Sequence, residues 1–124
     1  MTHFGIICPA ESGHLNTFLP LGKELLNRGH RVTLIASPDG QKKAIAAGLE
    51  FKAIGEDIFP LGSLKERFVE LGKLSGLAAL KYTIELFKKT ATSVLRDAPE
   101  VIKEAGIEVL LVDDIQFLSG KEKT

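Results

Sequence analysis

Short apolar runs divide the chain at four places. Residues 4–8, 31–36, 49–54 and 107–112 are rich in Ile, Val, Leu and Phe. Runs of this length with β-branched residues are typical of buried strands. Pro9 ends the first run, so the pattern predicts four strands with a loop directly after strand one.

The segment between the first two runs has the three-to-four-residue spacing of an amphipathic helix. Its spaced positions are Leu15, Phe18, Leu19, Gly22, Leu25 and Leu26. Gly29 is suited to end a helix, so the first helix is predicted to end near Arg28. Residues 41–47, followed by Gly48, predict a second, short helix.

A helical stretch separates the third and fourth strands. Residues 64–74 and 77–95 alternate apolar positions with lysines and glutamates, as helices do. Pro99 is suited to the first turn of a helix and Gly106 to its end, so a further short helix is predicted between them.

This order of elements predicts an α/β fold. Parallel strands need a helix-length connection, and such crossovers are right-handed. We expect a Rossmann-like parallel sheet of about four strands with helices on both faces, in which the last strand lies beside the first.

Composition narrows the classes of function. The 124 residues hold 16 Lys and Arg against 16 Asp and Glu, so no charge excess favours nucleic acid or an anionic membrane. Cys8 is the single cysteine, so it forms no intrachain disulfide or thiolate metal site, which favours a reducing compartment. Packing is preferred over a nucleophilic role for Cys8. No membrane span or leader is visible, and the cytoplasm is the expected location.

Two polar residues fall where ligands collect in open parallel sheets, beyond the carboxyl ends of the strands. His14 follows strand one in a loop expected at 9–14, and Asp113 follows the last strand. A carboxylate on the second nitrogen of a histidine fixes its tautomer and suits it to act as a general base. Spacing alone leaves open that His14 only begins a helix and Asp113 only ends a strand.

Two segments resemble the opening of family 1 glycosyltransferases. They are Phe4-Gly-Ile-Ile-Cys-Pro-Ala-Glu-Ser-Gly-His-Leu-Asn16 and Leu21-Gly-Lys-Glu-Leu-Leu-Asn-Arg-Gly-His-Arg-Val-Thr33. The nearest branch is the bacterial one with macrolide and zeaxanthin glycosyltransferases, which have the two-domain GT-B fold. The resemblance implies that residues 1–113 are a partial, truncated GT-B amino-terminal domain on the acceptor side.

The resemblance also implies a chemistry. The matching histidine in the family, here His14, deprotonates the acceptor hydroxyl, and the matching acid, here Asp113, orients it. Ser12, Gly13 and Asn16 would lie in the loop near acceptor or donor. The implied reaction is inverting transfer of a hexose from a nucleotide sugar, such as a UDP-sugar, to a small lipophilic acceptor, with no cofactor or metal.

The sequence departs from the family in two ways. Thr17 stands where the family usually has proline, and Pro20 falls inside the predicted helix, which suggests a kink or a late helix start. Nothing corresponds to the nucleotide-sugar motif of the family's second domain. We therefore expect the chain to be inactive in sugar transfer when alone.

The tail, residues 114–124, resembles a different family. Leu110-Leu-Val-Asp-Asp-Ile-Gln-Phe-Leu118 is similar to the Walker B region of the bacterial chromosomal replication initiator ATPase, where Asp113 would help to hold magnesium. The phosphate loop that such an acid requires is missing. The change of resemblance within the last strand suggests a chimera joined there. A fragment of an initiator-type ATPase is one alternative function.

Other interpretations stay open. A non-catalytic folding or assembly module is a third alternative, because exposed sheet edges allow a homo-oligomer. One set of apolar residues has two interpretations, the lining of an acceptor cleft or a buried core, and the core is preferred. The set is Phe59, Leu64, Phe68, Leu71, Tyr82, Leu86 and Phe87. His3 is expected to be exposed.

Overall fold

The computed structural model describes residues 1–10 and 12–112, with only the backbone of Ser12. The strands in this part of the chain are β1 (His3–Ile7), β2 (Arg31–Ala36), β3 (Glu50–Ala53) and β4 (Val109–Val112). The α-helices are α1 (Ser12–Asn27), α2 (Gln41–Ala46), α3 (Ser63–Gly72) and α4 (Gly76–Ala105). A 3-10 turn, Pro38–Gly40, leads into α2.

The four strands form one parallel sheet in the order β3-β2-β1-β4. Ile7 is opposite Ile35 on one side and Val112 on the other. The predicted sheet, and the position of the last strand beside the first, are therefore confirmed.

Alternating residues of the central strands build two separate cores. Ile6 and Leu34 face the side covered by α1 and α2, together with Leu15. Ile7 and Ile35 face the side covered by the end of α4. Because successive side chains in a strand point to opposite faces, this alternation requires helices on both faces, as predicted.

Helix α1 runs through Pro20 without interruption. A proline inside a helix removes one backbone hydrogen bond. Leu15 before it and Leu25 after it both pack on the same core, and this packing stabilises both parts of the helix. The helix begins at Ser12, so the suggested late start is wrong.

Helix α4 is also continuous across a proline. Pro99 lies inside it, so the prediction that Pro99 opens a separate short helix is wrong. Val94 on one side and Ile102 on the other both pack against the sheet, with the buried Ala98 between them. This shared burial offsets the cost of the missing N–H, about 3 kcal/mol in a helix interior.

His3 is buried, with only 3% of its surface exposed, so the expectation that it is exposed is wrong. Its ring nitrogen Nε2 lies 2.7 Å from Oγ1 of Thr33 on the neighbouring strand. The backbone N–H of His3 donates to Oε1 of Glu108 at 3.2 Å. Contacts from β2 and from the residue just before β4 therefore hold His3 near the chain terminus.

The C-terminal elements leave apolar surface in contact with solvent. In β4, Val109 and Leu110 are exposed, because this strand lies at the edge of the sheet. Helices α3 and α4 and the connection between them also carry exposed apolar side chains, namely Phe68, Val69, Leu74, Leu77, Leu80, Ile84, Phe87 and Leu95. Self-association through exposed sheet edges stays a prediction.

Candidate functional site

The carboxyl ends of the two central strands and β4 lie together. Ile7 ends β1 and is opposite Val112, which ends β4, and β2 ends next to them at Ala36. Asp113 follows Val112 in the sequence but lies outside the described residues, as does Glu11. The meeting of His14 with Asp113 therefore stays a prediction.

His14 is the third residue of α1 and is half-buried. The structure thus puts it in the first turn of a helix rather than in a loop, close after β1. The carbonyl of Gly13 accepts a hydrogen bond from Oγ1 of Thr17 at 3.1 Å, so the first turn has a side-chain contact of its own. The backbone N–H groups of a first helical turn have no partner within the helix and can meet polar ligand atoms.

The other predicted site residues share α1 with His14. Ser12 and Gly13 begin the helix, and Gly13 is exposed, with nothing within 4 Å of where a Cβ would lie. Asn16 is also exposed, and it lines a shallow groove between α1 and α2 with Lys43 and Ala47. Asn16 is thus part of a surface shared with α2.

A small cavity of about 30 Å³ lies at the carboxyl edge of the sheet. Cys8, Pro9 and Ser37 from the strand ends line it, and Phe59 and Arg67 close it on the helical side. That volume is enough for roughly one or two water molecules. Cys8 is buried there, as its predicted packing role requires.

A much larger cavity of about 580 Å³ lies between α3, α4 and the segment before α3. We call it the α3–α4 cavity. Its apolar wall consists of Ile58, Phe59, Pro60, Leu74, Ala78, Tyr82 and Leu86. Its charged rim consists of Glu66, Arg67, Lys81, Glu85 and Lys89, and Ser63 also lines it. The volume is typical of small-molecule sites, which span about 300–1,000 Å³.

The two cavities share a wall. Phe59 and Arg67 line both of them. The guanidinium carbon of Arg67 lies 4.2 Å from the centre of the Phe59 ring, which is a cation–π contact. Arg67 Nε also donates to the carbonyl of Ser63 at 3.4 Å. This stacked pair therefore separates the sheet edge from the α3–α4 cavity.

The segment 55–62, which forms one side of the α3–α4 cavity, is held at both ends. Asp97 Oδ2 accepts the backbone N–H of Gly55 at 2.8 Å. Asp39, in the turn after β2, accepts the N–H groups of Gly62 at 2.7 Å and Leu64 at 2.9 Å. Asp39 thus caps the start of α3 from a distant part of the chain, as an N-cap residue would.

Arg96 forms ion pairs that strengthen the attachment of segment 55–62 to α4. Its guanidinium binds both carboxylate oxygens of Asp57, at 2.9 and 2.6 Å, and also contacts Asp97 at 2.7 Å. Hydrogen bonds from Arg96 lower the pKa of Asp57. Those from Arg96, and then the Gly55 N–H, lower the pKa of Asp97. Both carboxyl groups therefore stay ionised to lower pH than free ones.

Sequence reasoning missed most of this arrangement. The predicted apolar set is divided: Phe59, Tyr82 and Leu86 line the α3–α4 cavity, whereas Phe68 is 54% and Phe87 45% exposed. The preferred core interpretation is therefore wrong for Phe68 and Phe87. The capping role of Asp39 depends on a contact 25 residues away, which no local pattern indicates.

Comparison with known proteins gives a consistent result. No protein-family model matches the chain. The chain is 28% identical over 116 residues to zeaxanthin glucosyltransferase of Pantoea ananas, covering 94% of this chain and 27% of that protein. It is 29% identical over 108 residues to sterol 3-beta-glucosyltransferase of Eremothecium gossypii, covering 87% of this chain and 8% of that protein. Its relatives are glycosyltransferases.

Solved structures of glycosyltransferases have the same fold. The calicheamicin glycosyltransferase CalG4 superposes with a TM-score of 0.70 at 22% identity, covering 98% of this chain and 29% of that one. The Streptomyces sp. SF2575 glycosyltransferase SsfS6 superposes with a TM-score of 0.66 at 14% identity, covering 94% and 34%. The predicted fold, that of a GT-B amino-terminal domain, is confirmed.

These matches define how much of a glycosyltransferase the chain represents. It spans about a quarter of the zeaxanthin enzyme's length, so it corresponds to a fragment of such a protein, as predicted. The GT-B glycosyltransferase relationship is supported, and the Walker B chimera has no support. Within residues 1–10 and 12–112, no helix is long and apolar enough to span a bilayer.

Proposed function

We propose that the chain provides the acceptor side of a nucleotide-sugar-dependent glycosyltransferase. The reaction is inverting transfer of a hexose to the hydroxyl of a small lipophilic acceptor. The observation that carries this proposal is the position of His14, in the first turn of α1 beyond the carboxyl end of β1. The similarity to two glucosyltransferases, which extends over most of this chain, supports the proposal.

The proposed base is His14. Its imidazole takes the proton of the acceptor hydroxyl, and the oxygen attacks the anomeric carbon from the face opposite the nucleoside diphosphate. The bond from that carbon to the diphosphate oxygen breaks, and the leaving group departs with the electron pair. Products are the inverted glycoside, the nucleoside diphosphate and a protonated His14.

Asp113 is the proposed positioning residue. A carboxylate beside the other ring nitrogen fixes the tautomer of the base and stabilises the imidazolium that forms. The pairing of β4 with β1 supports this role, because Asp113 follows β4 directly and His14 follows β1 after a short connection. The donor nucleotide sugar is proposed to bind residues outside this chain.

The test joins this chain in frame to the remaining part of the zeaxanthin glucosyltransferase and measures glucose transfer from UDP-glucose to lipophilic alcohols. We expect His14→Ala to lower kcat by about 10²–10⁴-fold, the usual contribution of a general base, with little change in KM. Asp113→Asn should lower kcat in the same direction.

His30→Ala is the matched control for histidine removal. His30 lies between α1 and β2, where its Nδ1 accepts the Thr2 N–H at 3.1 Å. It is therefore at the amino end of the strands, away from the proposed site. Equal rates for the wild-type fusion and His14→Ala, or equal losses for His14→Ala and His30→Ala, would remove His14 from the mechanism.

A further inference from the structure

Helices α3 and α4 form a hairpin that projects beyond the sheet. Residues 73–75 connect the two helices. Val94 of α4 packs against the sheet, and Ser93 lies next to Gly55, just after β3. Residues 76–89 of the continuous α4 therefore lie past the carboxyl edge of the sheet, over about 20 Å of helix. The connection is the end of the hairpin that lies farthest from the sheet.

This far end of the hairpin is apolar where it meets solvent. We call residues 69–80 the hairpin tip. Its exposed apolar side chains are Val69 at 52%, Leu74 at 37%, Leu77 at 84% and Leu80 at 56%. In the described part of the chain, Leu77 is more exposed than any other leucine, isoleucine, valine or phenylalanine. Apolar side chains grouped at a projecting end indicate a contact surface rather than a core.

Positive charge is concentrated around the tip. The whole chain has 16 basic and 16 acidic residues. Residues 63–89 nevertheless hold six basic residues against three acidic ones, so the other residues hold ten against thirteen. The exposed basic residues of this range are Lys65, Lys73, Lys81, Lys88 and Lys89. The even charge of the whole chain, which favours no anionic membrane, therefore conceals a local excess of positive charge.

An apolar end with lysines around it fits the surface of an anionic lipid bilayer. In such contacts, apolar side chains enter the acyl layer, and lysine side chains extend to the lipid phosphates. Lys73 lies within the tip, and Lys81 follows Leu80 directly. Glu70 pairs with Lys73 at 3.2 Å, but both side chains are more than half exposed, so the pair is weak and leaves Lys73 able to contact phosphates.

We propose that the hairpin tip docks this chain on an anionic lipid bilayer. Leu77 and Leu80 enter the acyl layer, and Lys73 and Lys81 contact lipid phosphates. The contact is peripheral and reversible, because a few leucines and lysines bind far more weakly than a spanning helix. The inference goes beyond the proposed function and does not depend on the chemistry at His14. If the proposed function holds, docking brings the chain to the lipid in which lipophilic acceptors dissolve.

Vesicle flotation tests the docking with the 124-residue chain. Vesicles of phosphatidylcholine containing phosphatidylglycerol should bind the chain saturably, and pure phosphatidylcholine should bind it at least about tenfold more weakly, because two or more lysines lose their anionic partners. Added salt should weaken binding to the anionic vesicles. Equal binding to both kinds of vesicle would exclude the lysine contacts.

Leu77→Glu tests the apolar contact. The change replaces a side chain that is 84% exposed, so the fold should be retained. Binding to anionic vesicles should weaken at least about tenfold, because one leucine no longer enters the acyl layer. The matched control is Ile45→Glu, since Ile45 is 61% exposed on α2, on the other face of the sheet. The control should bind as the wild type does. Far-UV circular dichroism and Tm verify that both variants fold.

Lys81→Gln tests the charge. Its removal should weaken binding to anionic vesicles by about fivefold, the usual contribution of one lysine near such a surface. Lys42→Gln makes the same change of charge on α2 and should leave binding unchanged. Equal losses in the two variants would mean that net charge, rather than the tip, sets the affinity.

A bimane label reports where the lipid lies. On Leu77→Cys, bimane emission should shift to shorter wavelength when anionic vesicles are added, because the label enters an apolar layer. On Ile45→Cys it should not shift. Cys8 is 1% exposed and should stay unlabelled in the folded chain.

Three results would overturn the proposal. They are no binding to anionic vesicles, wild-type binding by folded Leu77→Glu, and a dimer that forms without lipid and is lost in Leu77→Glu. Sedimentation velocity detects the dimer, which would assign the tip to a second copy of the chain. His14→Ala should bind vesicles as the wild type does, so a failure of docking and a failure of the proposed catalysis are separate results.

Discussion

The N-terminal half of the chain, residues 1–54, and the C-terminal half, residues 55–112, use apolar residues differently. In the N-terminal half, Ile6, Leu15 and Leu34 are completely buried between the sheet and two helices. In the C-terminal half, most large apolar side chains of α3 and α4 are partly or mainly exposed, and polar contacts hold segment 55–62. The first half is a packed scaffold, and the second is a surface with a cavity, where ligand contact can coexist with lower stability.

The largest expected difference is between core and surface leucines. Leu34→Ala should lower the free energy of unfolding by about 2–5 kcal/mol, because it leaves a cavity at a fully buried position. Leu80→Ala, on the exposed face of α4, should change it by no more than about 0.5 kcal/mol. Urea unfolding measures both. Similar losses of unfolding free energy in the two variants would mean that Leu80 stabilises α4 as much as Leu34 stabilises the sheet. That result would contradict the contrast between a packed N-terminal half and an exposed C-terminal half.

A second prediction concerns the junction of the halves at Gly55. Its φ is +64°, and a Cβ there would lie 2.8 Å from Cβ of Ser93 on α4. Gly55→Ala should therefore lose about 1–2 kcal/mol from the backbone alone, with the steric collision adding to it. Gly72→Ala, at the end of α3 with open space around it, should be neutral or slightly stabilising. Thermal unfolding compares them, and a harmless Gly55→Ala would mean that α4 can move away from the segment.

The smallest effect is a pH dependence that differs between halves. The lowered pKa values of Asp57 and Asp97 mean that the unfolded chain binds more protons in acid. Their stabilisation is present above the unfolded pKa of about 4 and is lost as pH falls through the folded values. Arg96→Gln should make stability fall less steeply on acidification.

Arg31→Gln is the control in the N-terminal half. There Arg31 lowers the pKa of one carboxyl group, that of Glu50. It should flatten the same profile less, since one carboxylate is affected rather than two. If the free energy of unfolding varied with pH in the same way in the wild type and in Arg96→Gln, the ion pairs of Arg96 would not contribute to holding segment 55–62.

Local patterns predicted the elements whose causes are local. The run 31–36 predicted β2 with the observed bounds, because β-branched residues are followed at once by a proline turn. Pro99 misled the prediction because the packing of Val94 and Ile102 on the sheet, which keeps α4 continuous, is a tertiary effect. His3 misled it for the same reason, since Thr33 on the neighbouring strand supplies its partner.

The candidate site also has parts that could be predicted from the sequence and parts that depend on tertiary contacts. The resemblance predicted His14, and the structure places that residue at the start of α1 near the sheet edge. The α3–α4 cavity was only one of two interpretations, because apolar spacing on two helices does not determine the gap between them. Its volume depends on where Asp39 and Asp97 hold segment 55–62.

The strand order also bears on how the chain reaches this structure. β1 pairs with β2 across the single helix α1, but its other neighbour comes from far along the chain, as the 105-residue separation of His3 and Glu108 shows. Parallel pairing over such a distance forms slowly, whereas residues 1–54 need only nearer contacts. During synthesis, β1 is therefore expected to present an unpaired edge until β4 emerges, and this interval is when the nascent chain is most exposed to aggregation.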